Sequence, residues 1–130
     1  MSRKTILMVE DRPEIRKLVT MALRSLPYEV IEADSGEAGL KKVVELRPDL
    51  VLLDVMMPGH LDGLSVCRAI KGNPELAAIP VVMVSALTQA SDLKLAREAG
   101  ADDYLTKPFS LLELMATIDR LIGKQSTDRE

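Results

Sequence analysis

The sequence contains one cysteine, one histidine and no block of like charges, and each scarcity removes a class of chemistry. Cys67 alone cannot close an internal disulfide. It falls in a run with helical spacing and reads as a small core residue in a reducing compartment. With His60 as the only imidazole, no Cys/His cluster is available to hold zinc. Seventeen Lys and Arg against twenty Asp and Glu give a net charge of −3, which lacks the basic footprint of a nucleic-acid binder. After Met1-Ser2-Arg3-Lys4 only five apolar-rich residues precede Glu10-Asp11, too short for a signal peptide or a membrane span. A cytoplasmic protein without membrane association is the expectation. No glycine-rich phosphate loop, internal repeat or low-complexity segment is present.

What is there suits one globular domain. The chain has 130 residues, 47% hydrophobic and 28% charged, and compact domains cluster near roughly 100–150 residues. Five short apolar runs stand out: Thr5 to Val9, Tyr28 to Ala33, Leu50 to Asp54, Val81 to Ser85, and Asp103 to Thr106. The first, third and fourth are continuously apolar rather than alternating, as parallel strands covered on both faces should be.

Helical patterns fill the gaps. Ile15, Leu18, Val19, Ala22, Leu23 and Leu26 recur at helical spacing, opened by Pro13 and stopped before Pro27. Leu40, Val43 and Val44 follow a capping segment at Asp34-Ser35-Gly36-Glu37, and Pro48 closes that helix. Leu64, Cys67 and Ile70 mark a third helix from near Asp62 to Gly72, and Leu95, Ala96 and Ala99 a fourth ending at Gly100. Ser110-Leu111-Leu112-Glu113 is a capping box that opens a fifth helix, through Leu114, Ile118, Leu121 and Ile122 to Gly123. Strand and helix therefore alternate five times, which predicts a doubly wound α/β fold with a five-stranded parallel sheet. The domain is expected to span residues 1–123, with a polar tail over 124–130.

In open α/β sheets, sites lie beyond the carboxyl ends of the strands, where strand order reverses. Glu10 and Asp11 follow the first strand, Asp54 ends the third, Ser85 ends the fourth, and Lys107-Pro108 follow the fifth. If the order is 2-1-3-4-5, three carboxylates flank the gap between strands one and three, with a hydroxyl and an ammonium arriving from the other side. Clustered carboxylates repel one another and lose solvation, so a hard divalent cation is their natural occupant. Oxygen-only ligands point to Mg²⁺ or Mn²⁺. A carboxylate, a metal, a hydroxyl and a lysine without a nucleotide cradle suit a phosphoryl group delivered by another molecule, with a carboxylate as nucleophile.

These residues, in this order, resemble the receiver domain of two-component response regulators over about Lys4 to Gly123. The resemblance is carried by Glu10-Asp11, by Val51-Leu52-Leu53-Asp54-Val55-Met56-Met57-Pro58-Gly59, by Ser85-Ala86, and by Gly100-Ala101-Asp102-Asp103-Tyr104-Leu105-Thr106-Lys107-Pro108-Phe109. It implies Asp54 as phosphoacceptor. It also implies Mg²⁺ held by Asp11, Asp54 and the Met56 carbonyl, with Glu10 reaching it through water, and Ser85 and Lys107 on the phosphoryl oxygens. Tyr104 matches the family's switch aromatic, and a cis peptide before Pro108 is usual. The implied donor is a sensor histidine kinase or histidine phosphotransfer protein. The implied readout surface is helix four, strand five and helix five, which would meet a downstream protein, an output domain or a second copy. Slow self-dephosphorylation would follow from the same site. The family's Pro-Gly-Met-Asp-Gly segment is one residue longer here, at Pro58-Gly59-His60-Leu61-Asp62-Gly63.

Each residue also has a plainer reading. Glu10 and Asp11 could be solvated loop charges, Ser85 a strand end, Lys107 turn punctuation and Tyr104 a β-former, while His60 reads as solvated and Met8, Met56, Met57 and Met83 as packing. Three rival functions follow from other classes. A Mg²⁺-dependent hydrolase could use Asp54 as covalent nucleophile, but Asp54-Val55-Met56 lacks the second acid of haloacid-dehalogenase-type phosphatases. A flavodoxin-like FMN module would share the strand order, yet Glu10-Asp11-Arg12-Pro13 is acidic where a phosphate loop is needed. A phosphorylation-independent docking module would have no use for the full acidic set. With seven residues after the last helix, the chain is expected to be a stand-alone regulator or a receiver excised from a longer protein.

Overall fold

A computed structural model describes residues 4–24, 26–57 and 61–123. Five parallel strands, β1 Lys4–Val9, β2 Tyr28–Ala33, β3 Leu50–Asp54, β4 Val81–Ser85 and β5 Asp103–Thr106, form one sheet in the order β2-β1-β3-β4-β5. Helices α1 Pro13–Arg24, α2 Gly36–Leu46, α3 Gly63–Lys71, α4 Ala90–Glu98 and α5 Leu111–Ile118 connect and follow them. This is the doubly wound, flavodoxin-like arrangement expected from the sequence, and β1 begins one residue earlier, at Lys4.

The continuous apolar runs divide their side chains between two cores. Leu7, Val9, Val51, Leu53, Val81 and Met83 pack on one side, with Val43 of α2, Val66 and Ile70 of α3 and Ala96 of α4. Ile6, Met8, Leu50, Leu52, Val82 and Val84 pack on the other, with Val19 and Leu23 of α1 and Leu114 and Ile118 of α5. Register follows: Ile6 to Val9 of β1 align with Leu50 to Leu53 of β3, so both strands end at the same edge of the sheet. Cys67 is fully buried and donates to the Ala99 carbonyl at 3.4 Å. Burial pushes its thiol up to about 11.

Helix ends follow their chemistry. Ser35 caps α2 by accepting from the Ala38 N–H at 3.1 Å, and Asp62 caps α3 by accepting from the Ser65 N–H at 2.8 Å. Arg47 ends α2 in the left-handed region at φ 48°, where the following proline bars a further helical residue. Ser110 and Glu113 form the expected capping box.

Three helical expectations need correction. Leu18, placed by its spacing with the core stripe of α1, is 69% exposed; Val19 and Leu23 fill the core instead, and one helix offers its partner a limited arc. The fifth helix is α-helical only to Ile118 and finishes in a π-helical turn, Asp119–Gly123. In that turn Asp119 accepts from the Tyr28 hydroxyl at 3.2 Å and Arg120 pairs with Asp103, while Ile122 stays buried. Leu95 likewise faces outward from α4, whose buried helical residue is Ala96. The tail expected over 124–130 lies outside the described residues. Among those described, no helix is long and apolar enough to cross a membrane.

Candidate functional site

The chain runs from β1 to its neighbour β2 on one side and from β2 across to β3 on the other, so strand order reverses between β1 and β3. At that edge Glu10, Asp11 and Asp54 each offer a carboxylate oxygen, all within 4.8 Å of one another. Glu10 and Asp54 are buried and Asp11 is half-buried.

Backbone pairing fixes these positions. The Glu10 N–H donates to the Ala33 carbonyl at 3.0 Å, extending β1 past its last ladder residue, and its own carbonyl accepts from Arg16 Nη1 at 2.8 Å. The Val55 N–H donates to the Val84 carbonyl at 3.1 Å and so carries β3 past Asp54. Gly63 at the start of α3 then packs against that turn. A Cβ there would lie 2.1 Å from the Asp54 carbonyl oxygen, so only glycine lets α3 approach so closely.

Lys107 reaches in from beyond β5. Its Nζ lies 3.1 Å from Glu10 Oε1 and 3.5 Å from Asp54 Oδ2, and its backbone N–H donates to the Ser85 carbonyl at 2.7 Å. The Lys107–Pro108 peptide is cis. Burial holds the Glu10 carboxyl above the usual carboxylate range; the hydrogen bond from Lys107 opposes this, and the Asp54 charge adds to it. Glu10 Oε2 also accepts from the Arg12 N–H at 3.3 Å.

Met56 contributes through its backbone. Its N–H donates to Asp54 Oδ1 at 3.3 Å, while its side chain points to solvent. Ser85 is buried at the end of β4, and its Oγ accepts from the Leu87 N–H at 3.0 Å. The Leu87 carbonyl accepts from the Tyr104 hydroxyl at 2.7 Å. One residue, Leu87, thus stands between Ser85 and Tyr104.

Every expected site residue is therefore at this edge, with Tyr104 tied to it through Leu87. Residue-by-residue reading of the sequence had not singled out Gly63, Arg16 or Leu87. Gly63 carries the one readable signal, a glycine at the first position of a helix; Arg16 and Leu87 act on backbone groups and leave no pattern. The longer loop at Pro58 to Gly63 is described only from Leu61 onward, and His60 lies outside the described residues.

Fold and site together define a doubly wound α/β protein with an acidic, lysine-facing pocket at its switch point. A family model described as the response regulator receiver domain matches residues 6–119. By that match the chain belongs to the receiver domains of two-component response regulators, the phosphoacceptor switches of those systems. It is 41% identical over 124 residues to the DNA-binding dual master transcriptional regulator RpaA of Synechocystis sp., covering 95% of this chain and 50% of that protein. The chain spans about half the length of the curated relatives it matches. A putative response regulator from Chloroflexus aurantiacus superposes with a TM-score of 0.88 at 33% identity, covering 94% of this chain and 99% of that one. The receiver domain of sensor histidine kinase PA1611 from Pseudomonas aeruginosa superposes at 0.86 and 33% identity, with the same two coverages of 94% and 99%. It carries a magnesium ion coordinated in its active site cleft.

Proposed function

We propose that Asp54 is the phosphoacceptor of this receiver, and that Glu10, Asp11, Asp54 and the Met56 carbonyl hold a divalent ion, Mg²⁺ or Mn²⁺. The donor set is all oxygen, which suits a hard cation. The fit is supported by a buried carboxyl at Glu10 whose ionisation is disfavoured, a cost that a dication would offset. When bound, the ion supplies charge neutralisation for the transferred phosphoryl oxygens.

An Asp54 carboxylate oxygen attacks phosphorus in line, the bond from phosphorus to the donor's histidine nitrogen breaks, and the electron pair stays on that nitrogen. Lys107 Nζ, 3.5 Å from Asp54 Oδ2, neutralises a phosphoryl oxygen. The Ser85 hydroxyl, which now accepts from Leu87, donates its own proton to another of those oxygens. Drawing Ser85 inward shifts Leu87, and with it the carbonyl that anchors Tyr104. A charge-assisted hydrogen bond made in one state only is worth about 1.5–3 kcal/mol, enough to move a two-state equilibrium about ten- to a hundredfold.

The donor is a sensor histidine kinase or a histidine phosphotransfer protein. The responding surface is α4, β5 and α5, where Tyr104 sits, read by a downstream protein or output domain; this domain itself touches neither nucleic acid nor membrane. Slow hydrolysis of the acyl phosphate by water completes the cycle. The observation that carries the reading is the meeting of Glu10, Asp11 and Asp54 within 4.8 Å, faced by one lysine. Incubation with acetyl phosphate tests it: intact mass should rise by one phosphoryl group with Mg²⁺ and stay unchanged with a chelator. Equal labelling in both samples would refute the metal-dependent transfer.

A further inference from the structure

Both main-chain groups of Glu10 are held from the end of β2. Its N–H donates to the Ala33 carbonyl at 3.0 Å, and its carbonyl accepts from Arg16 Nη1 at 2.8 Å. Arg16, in the first turn of α1, is itself fixed to β2, since its Nε donates to Glu32 Oε1 at 3.1 Å. The Glu32 carbonyl in turn accepts from Lys42 Nζ of α2 at 2.6 Å. A guanidinium presents its donors in a rigid, planar fork, so two such bonds fix its orientation. The carbonyl it holds belongs to the planar peptide unit that joins Glu10 to Asp11. The tilt of that unit sets the direction in which each of the two acidic side chains leaves the backbone.

The atom that Arg16 takes matters as much as the bond itself. Lys107 lies against the carboxylates, 3.1 Å from Glu10 and 3.5 Å from Asp54, where an ammonium competes with a dication. Arg16 takes the Glu10 carbonyl instead, with its charge paired to Glu32, and so spares the carboxylate oxygens. We propose that Arg16 is a positioning residue for the divalent ion, holding the Glu10–Asp11 peptide so that both carboxylates turn towards Asp54. The proposal rests on the reading of Glu10, Asp11 and Asp54 as ion ligands. It carries a sign that charge alone would reverse. Were Arg16 only a nearby positive charge, its removal would tighten Mg²⁺ binding. As a group that orients the ligands, its removal weakens binding, typically by about 10–100-fold.

Calorimetric titration of the whole chain with Mg²⁺ separates the two, with urea unfolding in chelator as the check that each variant is folded. Arg16→Met should weaken Mg²⁺ binding by about tenfold or more. Lys107→Met should move the affinity the opposite way. Arg16→Lys keeps the charge and most of the stem but loses the fork; charge alone predicts no change there, and positioning predicts a loss of several-fold. In labelling by acetyl phosphate, the deficit of Arg16→Met should fall on the Mg²⁺ concentration for half-maximal rate more than on the rate at saturation. Parent affinity or tighter in Arg16→Met overturns the proposal. If that variant does not fold, parent affinity in Arg16→Lys overturns it just as well. A parent chain that takes up no Mg²⁺ refutes the ligand reading itself, and the proposal with it.

Discussion

Replacing Lys107 by methionine isolates the electrostatics of the site. The substitution keeps most of the apolar stem and removes the ammonium 3.1 Å from Glu10 and 3.5 Å from Asp54. Breaking one side of a buried ion pair costs about 3–5 kcal/mol, because the remaining charge is left unpaired. The Lys107 side chain is 20% exposed, and solvent screening brings the expected loss to about 2–3 kcal/mol. For a domain of this size that is a fall in melting temperature of roughly 6–15 °C. Thermal unfolding in chelator should show it at neutral pH. Glu10's carboxyl is held above its usual range of 4.5. A carboxyl raised in this way stabilises the fold below about 4.5 and loses that contribution as pH rises through its folded value. The deficit of the variant should therefore shrink in acid, where Glu10 takes up its proton. Saturating Mg²⁺ should also stabilise the variant more than the parent, since the acidic cluster has lost its competing cation. A variant as stable as the parent in chelator refutes the reasoning. So does a deficit that neither acid nor Mg²⁺ reduces, because that pattern belongs to lost packing of the stem.

Three further outcomes follow from the structure. Gly63→Ala should destabilise by about 3 kcal/mol in urea unfolding, since its Cβ would sit 2.1 Å from the Asp54 carbonyl oxygen and backbone must move. Thr20→Val should stabilise by about 1 kcal/mol, because the buried Thr20 hydroxyl has no hydrogen-bond partner among the described residues and the valine is nearly isosteric. Burial raises Cys67 from 9.0 to about 11; burial, with Asp119 adding to it, raises Tyr28 from 10.0 to about 12. The folded state holds both protons more tightly, so stability should fall as pH rises from 9 to 12. Cys67→Ala should flatten the lower part of that decline and Tyr28→Phe the upper part.

The strands were legible because burial on both sides of the sheet leaves its mark in the chain itself. Ile6 and Met8 serve one core and Leu7 and Val9 the other, so no polar residue can interrupt the run. Charges placed immediately after such runs had to meet at one edge once the strand order was known, which is why Glu10, Asp11, Asp54 and Lys107 could be found together. Helical periodicity carried less. It grouped Leu18 with Val19 and Leu23, although one apolar stripe can face a core and its neighbour face water. The π-helical turn after Ile118 had no signature, since its spacing of Ile118 and Ile122 is also that of an α-helix. The path from Ser85 to Tyr104 passes through the backbone N–H and carbonyl of Leu87, groups that every residue possesses, so composition could not mark it.

The central claim concerns which atom accepts the phosphoryl group. Borohydride reduction of the phosphorylated protein converts an aspartyl phosphate to homoserine, and peptide mass mapping then locates it. Homoserine at position 54, absent from Asp54→Asn, is the predicted result. Reduction products at Glu10 or Asp11 instead, or labelling retained in Asp54→Asn, would contradict the account.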